Sequence, residues 1–163
     1  MTTRTPVRTS VAAKDFLSRR RIAVTGVSRE PKTHGANVVY RRLRDRGYDV
    51  VAVNPHATTV EGDPCWPDLA SVPGGVEAVV IATRPEHAEA TVRECVELGV
   101  DAVWMHRSID AGSVSPTAVA LGRESGLTVI DGGCPCMDSP AADPGHRAMK
   151  AVLSLTGRVP HRV

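Results

Sequence analysis

The sequence predicts an α/β protein with a doubly wound, Rossmann-like fold, in which helices cover both faces of a parallel sheet of about five strands. Two patterns predict this fold. Short apolar runs alternate with amphipathic helical patterns, and the helical patterns tend to end at a glycine. The length of 163 residues suits one domain, and 42% hydrophobic residues suffice to bury a core. Strands that alternate with helices in this way form parallel sheets buried on both sides.

Five short segments are predicted as buried strands because they are apolar, rich in β-branched residues and bounded by turn residues. They are residues 21–25, 48–53, 78–82, 102–105 and 127–130. Helical spacing predicts helices at residues 11–19, 35–46, 86–98, 115–124 and 146–155.

The remaining segments are predicted as irregular structure. The first ten residues are polar, and we expect them to be frayed. Residues 62–75 are rich in proline and glycine, which predicts a surface loop with one helical turn at 67–71. The predicted organisation is a tail with a short helix at 1–17, a Rossmann-like domain at 18–137 and an extension at 138–163 that packs on the domain.

Composition excludes several classes of function. A formal net charge of +2 and 3% aromatic residues argue against a nucleic-acid partner. The sequence has neither an apolar run of about 20 residues nor a signal-peptide pattern, so we expect a cytoplasmic protein with no membrane partner. Its four cysteines are too scattered for a disulfide scaffold, and we expect reduced thiols. The apolar faces of the predicted helices are compatible with a homodimer.

The loop after the first strand is the most informative segment. Right-handed crossovers bring the carboxyl ends of all parallel strands to one edge, where such sheets bind ligands. The amides after Gly26 and the start of the next helix could hold an anion, and Lys32 adds a positive charge. The alternative is a plain βα turn. The motifs G-x-G-x-x-G and G-x-x-x-x-G-K-[ST] are absent from this loop, which weighs against an NAD site and a P-loop ATPase.

The second strand ends in Asn54-Pro55-His56. An NAD-binding fold usually places a carboxylate near this point to hold the ribose hydroxyl, and none is present. Asn54 could contact a base or a sugar. An Asx-Pro turn that holds no ligand explains the same residues.

Several motifs occur together in a fixed order from about residue 18 to 135. They are Gly26-Val27-Ser28 with Pro31-Lys32, Gly47-Tyr48-x-Val50, Val53-Asn54-Pro55, Gly62, Leu69-x-x-Val72-Pro73 and Val103-Trp104. This order resembles the CoA-binding domain family, which includes small stand-alone bacterial proteins and, more distantly, the N-terminal domain of the succinyl-CoA synthetase alpha subunit. One departure concerns Trp-x-Gln-x-Gly, which many relatives carry and which reads Trp104-Met105-His106-Arg107-Ser108 here.

The resemblance implies a protein that binds CoA or acyl-CoA at the strand ends, with no catalytic residue and no metal ligand assigned. Its implied contacts to CoA form three groups. Gly26, Val27, Ser28 and Arg29, with Lys32, would line the phosphates; Asn54, Pro55 and His56 would border the nucleotide; and Ala82, Thr83 and Arg84 would contact CoA after the third predicted strand. The fork of an arginine suits two phosphate oxygens.

Three other functions stay open. The chain could bind another adenine dinucleotide such as NAD, or serve as a structural partner domain that binds no small molecule. It could also be a CoA-linked enzyme if Cys134 is an exposed thiolate. Zinc ligation by Cys134, Cys136, Asp143 and His146 is disfavoured, because cysteines one residue apart make a poor chelating pair.

Overall fold

The computed structural model describes residues 5–30, 34–107, 112–138, 144–157 and 159–163. Its helices are α1 Thr9–Phe16, α2 Gly35–Asp45, α3 Pro85–Leu98, α4 Pro116–Glu124 and α5 Pro144–Leu155. Its strands are β1 Arg21–Thr25, β2 Asp49–Val53, β3 Thr59–Val60, β4 Asp63–Trp66, β5 Ala78–Ile81, β6 Ala102–Met105 and β7 Thr128–Asp131. A short 3-10 turn spans Pro135–Met137.

The strands form one mostly parallel sheet in the order β3-β4-β2-β1-β5-β6-β7. Strand β1 lies at its centre and pairs in parallel with β2 and β5, and β6 and β7 continue the sheet on the β5 side. These five strands are the predicted ones, with ends shifted by one residue at most. The predicted α/β, Rossmann-like fold is confirmed.

The segment predicted as an irregular loop contains a strand, so this prediction is wrong for residues 63–66. Strand β4 pairs in parallel with β2, and β3 pairs antiparallel with β4. Glu61 and Gly62, at φ 52° and 81°, form the two-residue turn between them. The hairpin raises the strand number from about five to seven. Strand β4 was not predicted because it contains Pro64. Proline is tolerated in a strand only where a ladder hydrogen bond is not needed.

The helical turn predicted at 67–71 is also absent. This stretch forms bends and turns instead, with the Val72 amide donating to the Leu69 carbonyl at 3.2 Å.

Two apolar cores lie on opposite faces of the sheet because successive strand residues point to opposite sides. Ile22 and Val24 of β1 face the core that includes residues of α1, α2 and α5, whereas Ala23 faces the core formed with α3 and α4. Trp104 is buried in the first core, where its ring meets Phe16 edge-on with centroids 5.4 Å apart. Its indole Nε1 donates to the Gly132 carbonyl at 2.9 Å.

Val7 and Thr9 are held by backbone hydrogen bonds, contrary to the fraying expected for this part of the chain. Val7 and Val163 exchange two backbone hydrogen bonds of 3.0 Å, and the Thr9 amide donates to the His161 carbonyl at 3.1 Å. Helix α1 itself begins at Thr9, two residues earlier than predicted. The chain ends support each other in a short antiparallel pairing that the polar composition did not reveal.

Candidate functional site

The loops that follow β1, β2 and β5 meet at the carboxyl edge of the sheet. These three loops carry the residues whose contact with CoA is predicted, apart from Lys32, which lies outside the described residues. The first loop contains Gly26, Val27, Ser28 and Arg29, the second Asn54, Pro55 and His56, and the third Ala82, Thr83 and Arg84. The fold therefore brings residues distant in sequence to one edge.

Gly26 is the point where the three loops make contact. Its backbone amide donates to the Val53 carbonyl at the end of β2, at 3.0 Å. A Cβ atom at this position would lie 2.7 Å from the Ala82 carbonyl oxygen, and the residue adopts φ +79°. Glycine is needed here for both reasons, since a side chain would be strained and would also collide with the third loop.

Asn54 joins the second loop to the first. Its side-chain Nδ2 donates to the Val27 carbonyl at 2.8 Å, and its Oδ1 accepts the His56 amide, also at 2.8 Å. The second bond forms the Asx turn that was one of the two interpretations of this motif. The Asn54 amide group is thus engaged within the protein, which makes Asn54 a positioning residue for the two loops.

Asn37 is a positioning residue that sequence reasoning missed. This fully buried residue of α2 accepts the Ser28 amide at its Oδ1 and donates from Nδ2 to the Ser28 carbonyl, both at 2.8 Å. Its Nδ2 also donates to Glu61 Oε1 at 2.7 Å, and Arg41 pairs with the same oxygen at 2.9 Å. Asn37 therefore fixes the first loop to the β3–β4 hairpin. A polar residue on the apolar face of the α2 pattern was the available signal.

The amides of the first loop are less available to an anion than the sequence suggested. Gly26 and Ser28 donate to protein oxygens as described, and the Glu30 amide donates to Ser28 Oγ at 3.0 Å. These three amides are therefore not available to an anion without losing a bond within the protein. Other amides, side chains and the first turns of helices would have to supply its contacts.

Helices α2 and α3 both begin at this edge without a capping side chain. His34 precedes α2 and Arg84 precedes α3, and neither side chain makes a capping hydrogen bond. By contrast, Ser115 caps α4 by accepting the Ala118 amide. An uncapped helix start leaves amide groups and a partial positive charge that an anion can satisfy.

Two exposed arginines belong to the loops at this edge, Arg29 in the first loop and Arg84 directly before α3. Arg29 and Arg84 are exposed and form no ion pair with any residue that the structure describes. Other arginines in the described ranges do pair, for example Arg44 with Asp63 at 2.6 Å and Arg123 with Asp131 at 2.9 Å. Arg29 and Arg84 therefore add local positive charge to a chain of nearly balanced net charge.

The Thr83 hydroxyl is buried and has no hydrogen-bond partner among the described residues. Buried polar groups nearly always find a partner, so an orphaned hydroxyl at a strand end is a signal of an additional ligand or water molecule. Thr25, at the end of β1, is satisfied instead, because its Oγ1 lies within hydrogen-bond distance of the Val80 carbonyl and the Ala82 amide, at 3.4 and 3.3 Å.

His106 occupies the position where the sequence departs from the Trp-x-Gln-x-Gly pattern. It is buried, and its ring carbon Cε1 would lie 3.2 Å from a Cβ atom at Gly35, the first residue of α2. The imidazole therefore fills space against the start of α2. Ser108, the last residue of the departing motif, lies outside the described residues.

Cys134 does not have the properties of an exposed thiolate. It is 4% exposed, and a hydrogen bond with Cys136 together with burial raises the pKa of its thiol well above the ordinary value. A nucleophilic cysteine needs a lowered pKa and access to substrate. The structure thus gives no support to a Cys134-dependent enzyme.

Two grooves lie away from this edge. The first, of about 720 Å³, lies between the paired chain ends, α1 and the start of β7, and is lined by Val7, Val11 and Leu127 among others. The second, of about 340 Å³, lies between the chain ends and α5. Neither groove includes a residue predicted to contact CoA. The evidence for the predicted site therefore comes from the chemistry of its loops.

Comparison with known proteins identifies the family. The sequence pattern of the CoA binding domain matches residues 20–140, which is well over half of the chain. This chain belongs to the CoA binding domain family. The matched segment includes β1 to β7 and the three loops that meet at the carboxyl edge. The resemblance inferred from the motifs is confirmed.

Relatives within the CoA binding domain family include small proteins and parts of large enzymes. An uncharacterized Bacillus subtilis protein, YneT, is 29% identical over 118 residues, which cover 72% of this chain and 84% of YneT. The alpha subunit of the ADP-forming acetate–CoA ligase II of Pyrococcus furiosus is 32% identical over 88 residues, 54% of this chain. Those residues make up 19% of the ligase subunit.

A solved structure supports the same fold. A hypothetical protein from Pyrococcus horikoshii superposes with a TM-score of 0.68 at 27% identity, over 79% of this chain and 89% of that protein. In the part of the chain that the structure describes, no helix combines the length and the apolar character needed to cross a bilayer.

Proposed function

We propose that this chain binds CoA or acyl-CoA at the carboxyl edge of its sheet and catalyses no reaction by itself. The observation that carries the proposal is the match to the CoA binding domain over residues 20–140. CoA carries a diphosphate and a 3′-phosphate, and the edge offers the complementary chemistry. Two uncapped helix starts and the cations Arg29 and Arg84 lie there.

The residues at the edge divide into two roles in this proposal. Gly26, Val27, Ser28, Asn54, Pro55 and Ala82 shape the backbone that faces the ligand, whereas Arg29, Lys32, His56, Thr83 and Arg84 offer side-chain contacts. The orphaned Thr83 hydroxyl supports a polar ligand group or a water molecule at the end of β5. Ser28 and Asn54 are held by protein partners, which favours a preorganised site.

Titration calorimetry of the full chain with CoA, dephospho-CoA and NAD tests the proposal. We expect CoA to bind, dephospho-CoA to bind more weakly because it lacks the 3′-phosphate, and NAD not to bind. Binding of NAD without binding of CoA would show that the chain holds a different dinucleotide. No binding of any of the three would favour a structural partner domain.

Arg84→Ala tests where the phosphates lie. If Arg84 contacts a phosphate, its loss weakens CoA binding about tenfold, which corresponds to about 1.4 kcal/mol, and reduces the salt dependence of the affinity. The matched control is Arg93→Ala in α3, the helix that follows Arg84, where the exposed Arg93 pairs with Glu89 at 2.7 Å. Equal affinity of Arg84→Ala and the unaltered chain would remove Arg84 from the site. Lys32→Ala provides the same test for Lys32.

Other features expected from the sequence belong to this proposal as well. The four free thiols support a cytoplasmic location, because reducing compartments keep cysteines unpaired. The absence of nucleic-acid and membrane partners, the option of a homodimer and the domain limits at 17 and 137 stay predictions.

A further inference from the structure

Three potential metal ligands come together in the segment after β7 and in α5, outside the three loops proposed to hold CoA. Cys134, Cys136 and His146 each place a ligand atom within 4.8 Å of the other two. In the part of the chain that the structure describes, this is the one group of three or more such residues with that proximity. Cys134 and Cys136 lie within the segment matched by the family, whereas His146 lies beyond it.

Cys134 and Cys136 place their sulfurs close together although one residue separates them. Cys134 is extended, with φ −134° and ψ 135°, and Pro135 then begins the 3-10 turn that ends at Met137. The backbone therefore changes from extended to helical between the two cysteines, and their buried sulfurs lie within 4.8 Å of each other. The spacing alone predicted a poor chelating pair, whereas this turn brings both sulfurs to one place.

Helix α5 supplies the third ligand from one of its faces. Spacings of three and four residues put His146, Met149, Lys150 and Leu153 on the same side of the helix. Lys150 forms an ion pair with Asp138, which follows the 3-10 turn, and Leu153 is buried in the core. Both contacts hold this face of α5 against the turn, so the position of His146 beside the cysteines is a consequence of packing.

We propose that Cys134, Cys136 and His146 bind one zinc ion, with a water molecule in the fourth position. Two thiolates and one imidazole in a compact cluster are typical ligands of Zn²⁺, which prefers sulfur and nitrogen in tetrahedral geometry. On binding, each thiol releases a proton to solvent, and the two thiolate charges balance the charge of the ion. The ion would fasten α5 to the domain, where Leu153 is the buried residue of this helix.

Metal titration of the full chain tests the proposal. The protein is stripped of metal under a reducing agent and titrated with Zn²⁺ in competition with a chromophoric chelator. We expect one equivalent of zinc to bind, and the melting temperature to rise with zinc. His146→Gln should weaken zinc binding by at least about tenfold. Because His146 is only half-buried, this variant is expected to fold.

The control is Cys95→Ala, which removes a different, fully buried free thiol in α3. We expect its zinc affinity to equal that of the unaltered chain. Cobalt provides a second measurement, since the thiolate-to-cobalt absorption of the unaltered chain should fall by about half in Cys134→Ser. Failure of the reduced, unaltered chain to bind zinc would overturn the proposal, as would unchanged affinity in His146→Gln or an equal loss in Cys95→Ala.

Discussion

At the scale of single residues, Gly26 combines a left-handed backbone with a close approach between two loops. Its φ of +79° disfavours any other residue, and the Ala82 carbonyl oxygen occupies the space that a side chain would need. Gly47 has a similar φ of +84°, but no atom lies within 4 Å of the position that its Cβ atom would occupy. A comparison of substitutions at Gly26 and Gly47 therefore distinguishes the cost of backbone strain from the cost of a steric collision.

Gly26→Ala is expected to destabilise the fold more than Gly47→Ala does. Both variants lose roughly 1–2 kcal/mol to the left-handed conformation. Gly26→Ala should lose about 1–3 kcal/mol more, because the β1–α2 loop and the end of β5 must move apart. Urea denaturation of both variants measures the difference in the free energy of unfolding. Equal losses would mean that the loops accommodate a methyl group without strain.

The sequence predicted which residues reach the carboxyl edge, but not which of them are engaged inside the protein. Asn54 was considered as a ligand contact or as part of an Asx turn, and the structure shows the turn together with a bond to Val27. No role was predicted for Asn37 because its partners, Ser28 and Glu61, lie 9 and 24 residues away in the sequence. Such bonds depend on the tertiary fold and leave no local pattern.

At the scale of elements, the polar face of α2 is paired with the β3–β4 hairpin. Arg44 pairs with Asp63 at 2.6 Å, and Tyr40 donates to the same carboxylate at 2.9 Å. The Arg44 and Tyr40 bonds lower the pKa of Asp63, and burial beside Asp63 raises the pKa of Tyr40. The carboxylate therefore connects the helix to the edge of the sheet.

Asp63→Asn is expected to destabilise the protein at neutral pH by about 1 kcal/mol or less, because the ion pair is partly exposed and screened by solvent. The pKa of Asp63 is lower in the folded than in the unfolded chain. Its contribution is therefore complete above the unfolded value of about 3.9 and is lost as the pH falls through the lower folded value.

Chemical denaturation from neutral to acidic pH checks this dependence. The difference in unfolding free energy between the unaltered chain and Asp63→Asn should shrink as the pH falls below about 4. Asp45→Asn is the matched control, since Asp45 is an exposed carboxylate at the end of α2. We expect no loss of stability for it. A pH-independent difference for Asp63→Asn would assign the effect to packing.

Helix and strand positions were predictable wherever a single pattern repeated over a whole element. The strand at 102–105 was predicted with its observed bounds, and the start of α2 at Gly35 was predicted correctly. Strand β4 was missed because it is short, contains Pro64 and depends on pairing with β2. Pairing partners decide such an element, and its own residues carry little periodicity.

At the scale of the whole molecule, ligand binding at the carboxyl edge should stabilise the fold. A ligand that binds only the folded chain at about 100 times its Kd adds about 2.7 kcal/mol to the free energy of unfolding. For a chain of this length, that corresponds to a rise in Tm of about 5–11 °C. The ligand contacts proposed here span the ends of β1, β2 and β5, so CoA would link the centre of the sheet to the β4 side.

Thermal denaturation with increasing CoA measures this rise, and NAD at equal concentration is the control ligand. We expect a rise with CoA and none with NAD. In Arg84→Ala, the same rise should require about tenfold more CoA. A Tm that does not respond to CoA at any concentration would contradict binding to the folded state.

The sequence by itself determined the α/β class, five of the seven strands and the family, because periodicity, glycine positions and ordered motifs are local properties of the chain. Only the tertiary structure decided how distant polar groups pair. It linked Asn37 to Ser28, attached the hairpin to α2, and gathered Cys134, Cys136 and His146 into one cluster. The physical reason is that hydrogen bonds and metal ligation act over a few ångströms, and the fold alone sets which residues come that close.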